Sequence, residues 1–197
     1  MRIGVLALQG DFAEHIAVLK RLGVETIEVR LPEQLEGLDG LIIPGGESTT
    51  IGKMATDFGL MERLRLLGKE KPIWGTCAGA IFLSKDAHRK QPLLALMDIT
   101  VERNAFGRQV DSFETDLEIP ALDEGTSGIN PFHAIFIRAP VIESVSGEAH
   151  ALATLSDGRI VAAKQGHLLA TVFHPELTRD DRFHRYFISL GGRNSGP

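Results

Sequence analysis

Cys77 is the single cysteine of the 197-residue chain, and the sequence around it, "PIWGTCAGAIF", has been cleared of bulk. Gly75 and Gly79 bracket it as G-x-C-x-G, with an apolar run leading in and another leading out. That places the thiol between a predicted strand and a predicted helix, the cysteine form of the nucleophile elbow. Such a turn lifts a nucleophile off a strand end and tolerates almost no flanking side chain. A helix beginning at Ala78 directs its free N–H groups and positive dipole end at the sulfur, which favours thiolate. The Ala78 N–H is also placed to donate to an oxyanion on an attacked carbonyl. A lone cysteine is often only a small buried hydrophobe, but motif and context together favour a nucleophile.

A thiol nucleophile needs a base, and the chain has seven histidines. His15, His88, His133, His150, His167 and His184 have no special setting and are assigned to surface or packing. His174 ends the apolar run "LLATVF" and stands in "FHPE", where Pro175 stiffens the turn and Glu176 follows two residues on. A carboxylate there can hold the imidazole in one tautomer and stabilise its charged form, the third role of a triad. "PGGES", Pro44 to Ser48, is a glycine turn after a buried strand, able to bring a second oxyanion donor, the Gly46 N–H, close to a substrate. A phosphate loop fits less well, because the lysine is missing and Glu47 would repel phosphate. A plain turn remains open.

The elements that must position these groups alternate in the first half. "RIGVLAL" reads as a buried parallel strand. Asp11 then stands as an N-cap, Phe12, Ile16, Leu19 and Leu22 share a helical face, and Gly23 sits at the C-cap. "ETIEV" is a second strand, and "GLDGLII" a third, with Ser48 or Thr49 capping the next helix. A further helix covers about Leu60 to Leu67, and "KPIWGT" is a fourth strand stopping at Cys77. Strand and helix in alternation imply an α/β fold with helices on both faces of a sheet. The second half reads as short strands in "FGRQVDSFETDLEI", "HAIFIRAPVIESV" and "ALATLSDGRIVAAKQGHLLATVFHPE", with "SDGR" as a hairpin turn. A helix over about Asp180 to Leu190 closes the domain, with Phe183, Tyr186, Phe187 and Leu190 as its apolar face. Residues 1–190 form one domain, and residues 191–197, "GGRNSGP", read as a disordered tail.

Composition narrows the rest. The length suits one domain with a full core. The formal net charge of −5 and the lack of a Lys/Arg block argue against nucleic acid. One cysteine excludes a disulfide framework and a Cys-rich zinc site, so no metal and no cofactor is expected. No apolar run approaches the roughly 20 residues that cross a bilayer. The apolar stretch in "MRIGVLALQG" is too short for a secretory signal, and a cytoplasmic protein without membrane contact is expected.

An elbow cysteine, a later His-x-Glu and an earlier Pro-Gly-Gly loop resemble the class I, triad-type glutamine amidotransferases. Within them, "LALQGDFAEH", "LPEQL", "LIIPGGESTTI", "GTCAGAIFL", "VERNAFGRQVDSFE", "FIRAP", "GRIVAAKQG" and "FHPELT" are similar to the glutaminase subunits of pyridoxal 5′-phosphate synthase, and the match runs from Arg2 to about Leu190. Other amidotransferases of the class usually carry Gln two residues after the second elbow glycine, where this chain has Ile81. The segment "GTSGINPFHA" is longer than the family pattern.

The resemblance implies a three-layer, flavodoxin-like α/β fold, a mostly parallel central sheet flanked by helices. It implies hydrolysis of L-glutamine to glutamate and ammonia. Cys77 would attack the amide, with His174 moving protons and Glu176 orienting it. Gly46, Glu47 and Ser48 match the family's glutamine-binding loop, and Arg103, Ile137 and Arg138 its other substrate contacts. A guanidinium suits the α-carboxylate of glutamine, and Glu47 its α-ammonium. The implied partner is a separate synthase subunit that uses the ammonia to make pyridoxal 5′-phosphate. Gln9, in the loop after the first strand, is the candidate residue at that interface. Two rivals share these features: a cysteine peptidase on a similar elbow, and a catalytically silent binding subunit, against which an intact Cys77, His174 and Glu176 argue.

Overall fold

The structure is a computed structural model, and the residues described are 1–103, 112–123, 128 and 130–192. The Phe106–Asp111 part of the expected strand, most of "GTSGINPFHA" before Asn130, and residues 193–197 of the expected tail lie outside them. The chain opens with β1 (Arg2–Leu6), α1 (Phe12–Arg21), β2 (Glu25–Val29) and β3 (Gly40–Ile43). It continues through α2 (Ser48–Asp57), α3 (Met61–Glu70), β4 (Ile73–Thr76) and α4 (Ala78–Leu83). Then come β5 (Ser84–Asp86), β6 (Met97–Glu102), β7 (Ser112–Leu117), β8 (Phe132–Ile137) and β9 (Val141–Val145). β10 (His150–Thr154), β11 (Ile160–Gln165), β12 (Leu168–Thr171) and α5 (Arg182–Gly192) complete it.

The main sheet runs β2-β1-β3-β4-β12-β11-β9-β6-β5, with β10 joined to β11. From β2 to β12 every pairing is parallel. β11 joins antiparallel to β12, β9 and β10, and β6 to β9, while β5 lies parallel to β6. β7 and β8 form a separate antiparallel hairpin. The parallel strands β1, β3, β4 and β12 read as apolar runs because both faces are covered, while β2 at the sheet edge is half exposed. In β4 the alternation is visible: Trp74 packs its ring against His15 of α1 and Phe183, His184 and Phe187 of α5. The neighbouring Ile73 points the other way, its Cδ1 3.0 Å from where a Cβ on Gly68 of α3 would stand. Helices therefore cover both faces, and the layers are three.

Most of the expected elements are present, and four differ. The cap of α2 is Glu47, not Ser48 or Thr49. Its carboxylate accepts from the N–H groups of Thr49 and Thr50, two orphan donors that one hydroxyl cannot serve together. Asp11 does hold the N-cap position of α1, but its side chain makes no cap hydrogen bond. β5 and β6 are strands that the pattern reading leaves unassigned, although Met97, Ile99 and Val101 alternate inward in β6. Finally, α5 runs to Gly192, so the tail expected from residue 191 begins inside the helix.

The switch in strand order falls at β1, which has β2 on one side and β3 on the other. Crevices form at the carboxyl ends of strands at such a point. Because β1, β3, β4 and β12 are neighbours and parallel, the segments after them share one edge of the sheet. Those segments carry Gln9–Asp11, Gly45–Glu47, Cys77 and His174–Glu176.

The elbow holds because two backbones touch. A Cβ on Gly79 would stand 2.0 Å from the Ile43 carbonyl oxygen, and one on Gly75 would stand 2.5 Å from the Gly79 carbonyl. Neither neighbour is a side chain that can move aside. Gly79→Ala is therefore expected to destabilise the domain by about 1–3 kcal/mol or more, read as a lower urea midpoint. An unchanged midpoint would contradict this packing.

Candidate active site

Cys77 stands between β4 and α4 with φ +49° and ψ −107°, a sparsely populated conformation for a residue with a Cβ. Such a backbone costs on the order of 1–3 kcal/mol and persists only where its surroundings fix it. Here the Cys77 N–H donates to the Thr171 carbonyl of β12 at 2.8 Å, and the Cys77 carbonyl accepts from the Ala80 and Ile81 N–H groups. Ala78 is the first residue of α4, so its N–H is one of those the helix itself leaves unused.

Three residues beyond β12, His174 is 4 % exposed. Its backbone N–H donates to Ile135 of β8 at 2.9 Å, which ties the site to the hairpin. On the ring, Nδ1–H donates to Glu176 Oε1 at 2.7 Å, and the imidazole also hydrogen-bonds with Cys77. Burial works against a charged His174. The hydrogen bonds with Cys77 and Glu176, and their negative charge, outweigh it and push the imidazole up to about 10. Glu176 is itself raised, because burial outweighs the hydrogen bond with His174. The three residues picked from the sequence are thus one contiguous buried group, with the carboxylate on one side of the imidazole and the sulfur bonded to the same ring.

The glycine turn lies against this group. A Cβ on Gly45 would stand 2.7 Å from His174 Cε1, so this glycine makes room for the imidazole. Gly46 has φ +149° and would clash with Gln9 Oε1 at 2.4 Å. Gln9 Oε1 accepts from the Glu47 N–H at 2.7 Å, and the Asp11 N–H donates to the Gly45 carbonyl. Two hydrogen bonds therefore tie the loops after β1 and β3 to each other.

The remaining predicted residues sit as follows. Arg103 Nη2 donates to Glu47 Oε1 at 2.9 Å, and its Nη1 to Thr49 Oγ1 at 3.3 Å. A modest burial penalty opposes ionisation of Glu47. Hydrogen bonds from Thr50 and Thr49 overcome it and hold the carboxyl down to about 2. Ser48 is buried and accepts from Gln91 Nε2. Ile137 ends β8 and is partly exposed, and Arg138 follows it with φ +45°. The described contacts bring Glu47 and Arg103 together, and β8, which Ile137 ends and Arg138 follows, meets His174 through the Ile135 carbonyl.

Sequence reasoning passed over four residues here. Asp11 Oδ2 lies 3.7 Å from His174 Nδ1, a second and more exposed carboxylate on that nitrogen. His15, Thr76 and His184 are fully buried behind Glu176. The helical stripe gave a signal, since His15 lies three and four residues from the buried Val18 and Leu19, and His184 sits beside Phe183. What the stripe could not show is what those rings touch.

The fold is that of a glutamine amidotransferase: the chain belongs to the SNO glutamine amidotransferase family, matched over residues 5–191. More particularly, it is 59 % identical over 195 residues to the Pyridoxal 5'-phosphate synthase subunit PdxT of Herpetosiphon aurantiacus, covering 96 % of this chain and all of that one. It is 58 % identical to the protein of that name from Moorella thermoacetica, over 98 % of this chain and all of the relative. A crystal structure titled glutamine amidotransferase superposes with a TM-score of 0.89 at 52 % identity, covering 96 % of this chain and 98 % of that one. PurLQS from Thermotoga maritima shares the fold, with a TM-score of 0.68 at 14 % identity over 95 % and 97 % of the two chains. Among the described residues no helix is long and apolar enough to cross a membrane.

Burial lowers His184 to about 4, with Asp181 opposing and Arg21 assisting the shift. A histidine depressed on folding contributes stability that is complete above its unfolded value of 6.5 and is lost as pH falls through 4. The urea midpoint should therefore decline between about pH 7 and pH 5, and decline less in His184→Phe. Equal slopes in the two proteins would contradict the burial of a neutral ring.

Proposed function

We propose that this chain is the glutaminase subunit of a pyridoxal 5′-phosphate synthase in the cytoplasm, hydrolysing L-glutamine to glutamate and ammonia. One observation carries the reading: a buried imidazole with Glu176 on Nδ1 and an elbow cysteine bonded to the same ring. Cys77 is the nucleophile. His174, charged at rest, gives its proton to the departing nitrogen as the sulfur attacks the amide carbon. Ammonia leaves and a thioester remains. His174, now neutral, draws a proton from water, which attacks the thioester; glutamate is released as the sulfur leaves and the imidazole is charged again. Glu176 keeps the imidazole oriented and stabilises its charged form through both steps.

The N–H groups of Ala78 and Gly46 are the oxyanion donors. Glutamine presents an ammonium and a carboxylate on its α-carbon. Glu47, ionised at any physiological pH, suits the first, and Arg103 and Arg138 suit the second, with Ser48 and Ile137 at the same mouth. No step calls for a metal or a cofactor. The partner is the synthase subunit, to which the ammonia passes, and nucleic acid and membrane have no part. Gln9 lies on the docking face. Its side chain already holds the Glu47 N–H, so a partner pressing on the first loop acts on the Gly46 peptide next to it.

Two measurements test this. With the synthase present, glutamine should release ammonia, peptides should stay uncut, and Cys77→Ser should abolish release. Activity of that variant within about tenfold of the parent would remove Cys77 as nucleophile. The chain alone should be slower by about 10²–10³ in kcat, the effect of one missing oxyanion donor. Full turnover without the partner would refute control by docking.

A further inference from the structure

On the side of Glu176 away from His174 lies a second polar cluster with no access to solvent. His15 comes from α1, Thr76 from β4 and His184 from α5, all at 0 % exposure, and the Trp74 ring meets both imidazoles nearly edge-on. His15 Nε2 stands 3.3 Å from Glu176 Oε2 and 3.2 Å from Thr76 Oγ1. His15 Nδ1 stands 3.0 Å from His184 Nε2. Two buried atoms here lack a well-formed hydrogen bond, Glu176 Oε2 and His184 Nδ1.

That second atom decides the tautomers. Burial keeps both rings neutral, pulling His15 well below 6.5 and His184 to about 4. Each ring therefore carries one N–H, and the 3.0 Å contact needs one donor and one acceptor. If His15 donated, the single proton of His184 would sit on Nδ1, a buried N–H without an acceptor. Such orphaned donors are rarer and costlier than an idle lone pair. His184 Nε2–H is therefore the donor, His15 Nδ1 accepts, and the proton of His15 is on Nε2. That N–H has the Thr76 hydroxyl as its hydrogen-bond partner at 3.2 Å and Glu176 Oε2 beside it at 3.3 Å, the carboxylate oxygen that has no hydrogen bond of its own.

We propose that His15 is a positioning residue for glutamine hydrolysis: a neutral imidazole, set in one tautomer by His184, that holds Glu176 through Oε2 so that Oε1 stays on His174. The proposal rests on the triad reading given under Proposed function. A carboxylate held at one oxygen can swing about its bond. One held at both keeps its plane, and a donor on Oε2 also favours the ionised form that an imidazolium needs. The charged and titratable groups facing the cluster are His174 and Asp11 at Glu176, and Asp181 and Arg21 at His184. None of them supplies a second donor to Oε2.

The test uses the complex with the synthase. His15→Leu should lower kcat by about tenfold to a hundredfold, the usual effect of losing an outer partner of a working side chain, with KM within about twofold. Its acid limb should move to higher pH, because Glu176 without its second donor protonates earlier. His15→Gln places an amide N–H near the ring Nε2 position and should recover most of the rate. His15→Asn reaches only the Nδ1 position and should not, and this pair decides the matter if Leu disturbs folding. Added to Glu176→Gln, His15→Leu should cost almost nothing more. Multiplying losses, an effect in KM alone, or Gln no better than Asn would overturn the proposal. An NMR titration of the His174 ring needs no substrate. It should show the imidazolium titrating lower in His15→Leu, and an unmoved titration would overturn the inference. A parent complex that releases no ammonia would instead overturn the glutaminase reading alone.

Discussion

The site depends first on the pairing of β4 with β12. Thr76 stands opposite Thr171 in this ladder, a register that Trp74, 97 residues from Thr171, reinforces by donating from its indole to the Thr171 hydroxyl at 3.1 Å. The ladder ends in one more bond, from the Cys77 N–H to the Thr171 carbonyl. That bond sets the height of the sulfur relative to the next residues of the other strand. His174 follows three residues later, and its imidazole meets the cysteine. A slip of one residue in a parallel ladder would turn every side chain to the opposite face, and the triad would come apart. Burial on both faces of these strands makes such a slip costly, so the catalytic geometry is secured by the core.

Around that pairing, close backbone contacts replace side-chain flexibility. Gly79 against Ile43, Gly75 against Gly79 and Gly10 against Gly45 are all approaches that a Cβ would forbid. The three neighbouring segments are locked to one another, which is how a strained Cys77 backbone persists. The electrostatics follow the same economy. Glu176 is buried and raised by that burial, yet it faces two imidazoles, one charged by its neighbours and one kept neutral by desolvation. One carboxylate thus stands between a charged histidine and a neutral one. At the rim, Glu47 and Arg103 remain paired and partly exposed. A zwitterionic ligand can exchange those contacts for its own at low desolvation cost.

Much of this was legible in the residues alone. Apolar runs placed β1, β3 and β4, because a strand buried on both faces has no other composition open to it; β2, half exposed at the sheet edge, showed instead as the β-branched run ETIEV. Gly75-Thr76-Cys77-Ala78-Gly79 announced a strand–turn–helix with the cysteine at its apex, and His174-Pro175-Glu176 a histidine with a carboxylate in reach. Those are local facts: neighbours in sequence constrain one another through sterics and hydrogen bonds within a few residues. The cap of α2 shows the limit even there. Hydroxyl residues are the common caps, and Glu47 prevailed because Arg103, distant in sequence, helps to hold its carboxylate in place.

What the tertiary structure alone decided is who stands beside whom across long separations. The composition of α1 and α5 put His15 and His184 on apolar stripes, and a stripe says only that a ring is buried. That the two rings meet, that one reaches the far oxygen of Glu176, and that the orphaned His184 nitrogen fixes their protons all depend on three elements converging behind β4. Likewise the two glycines of Pro44-Gly45-Gly46 read as freedom for a loop. In the folded chain one makes space for the His174 ring and the other for Gln9. Hydrogen-bond partners in a core are set by packing many side chains into one volume, and a one-dimensional pattern holds no record of that volume.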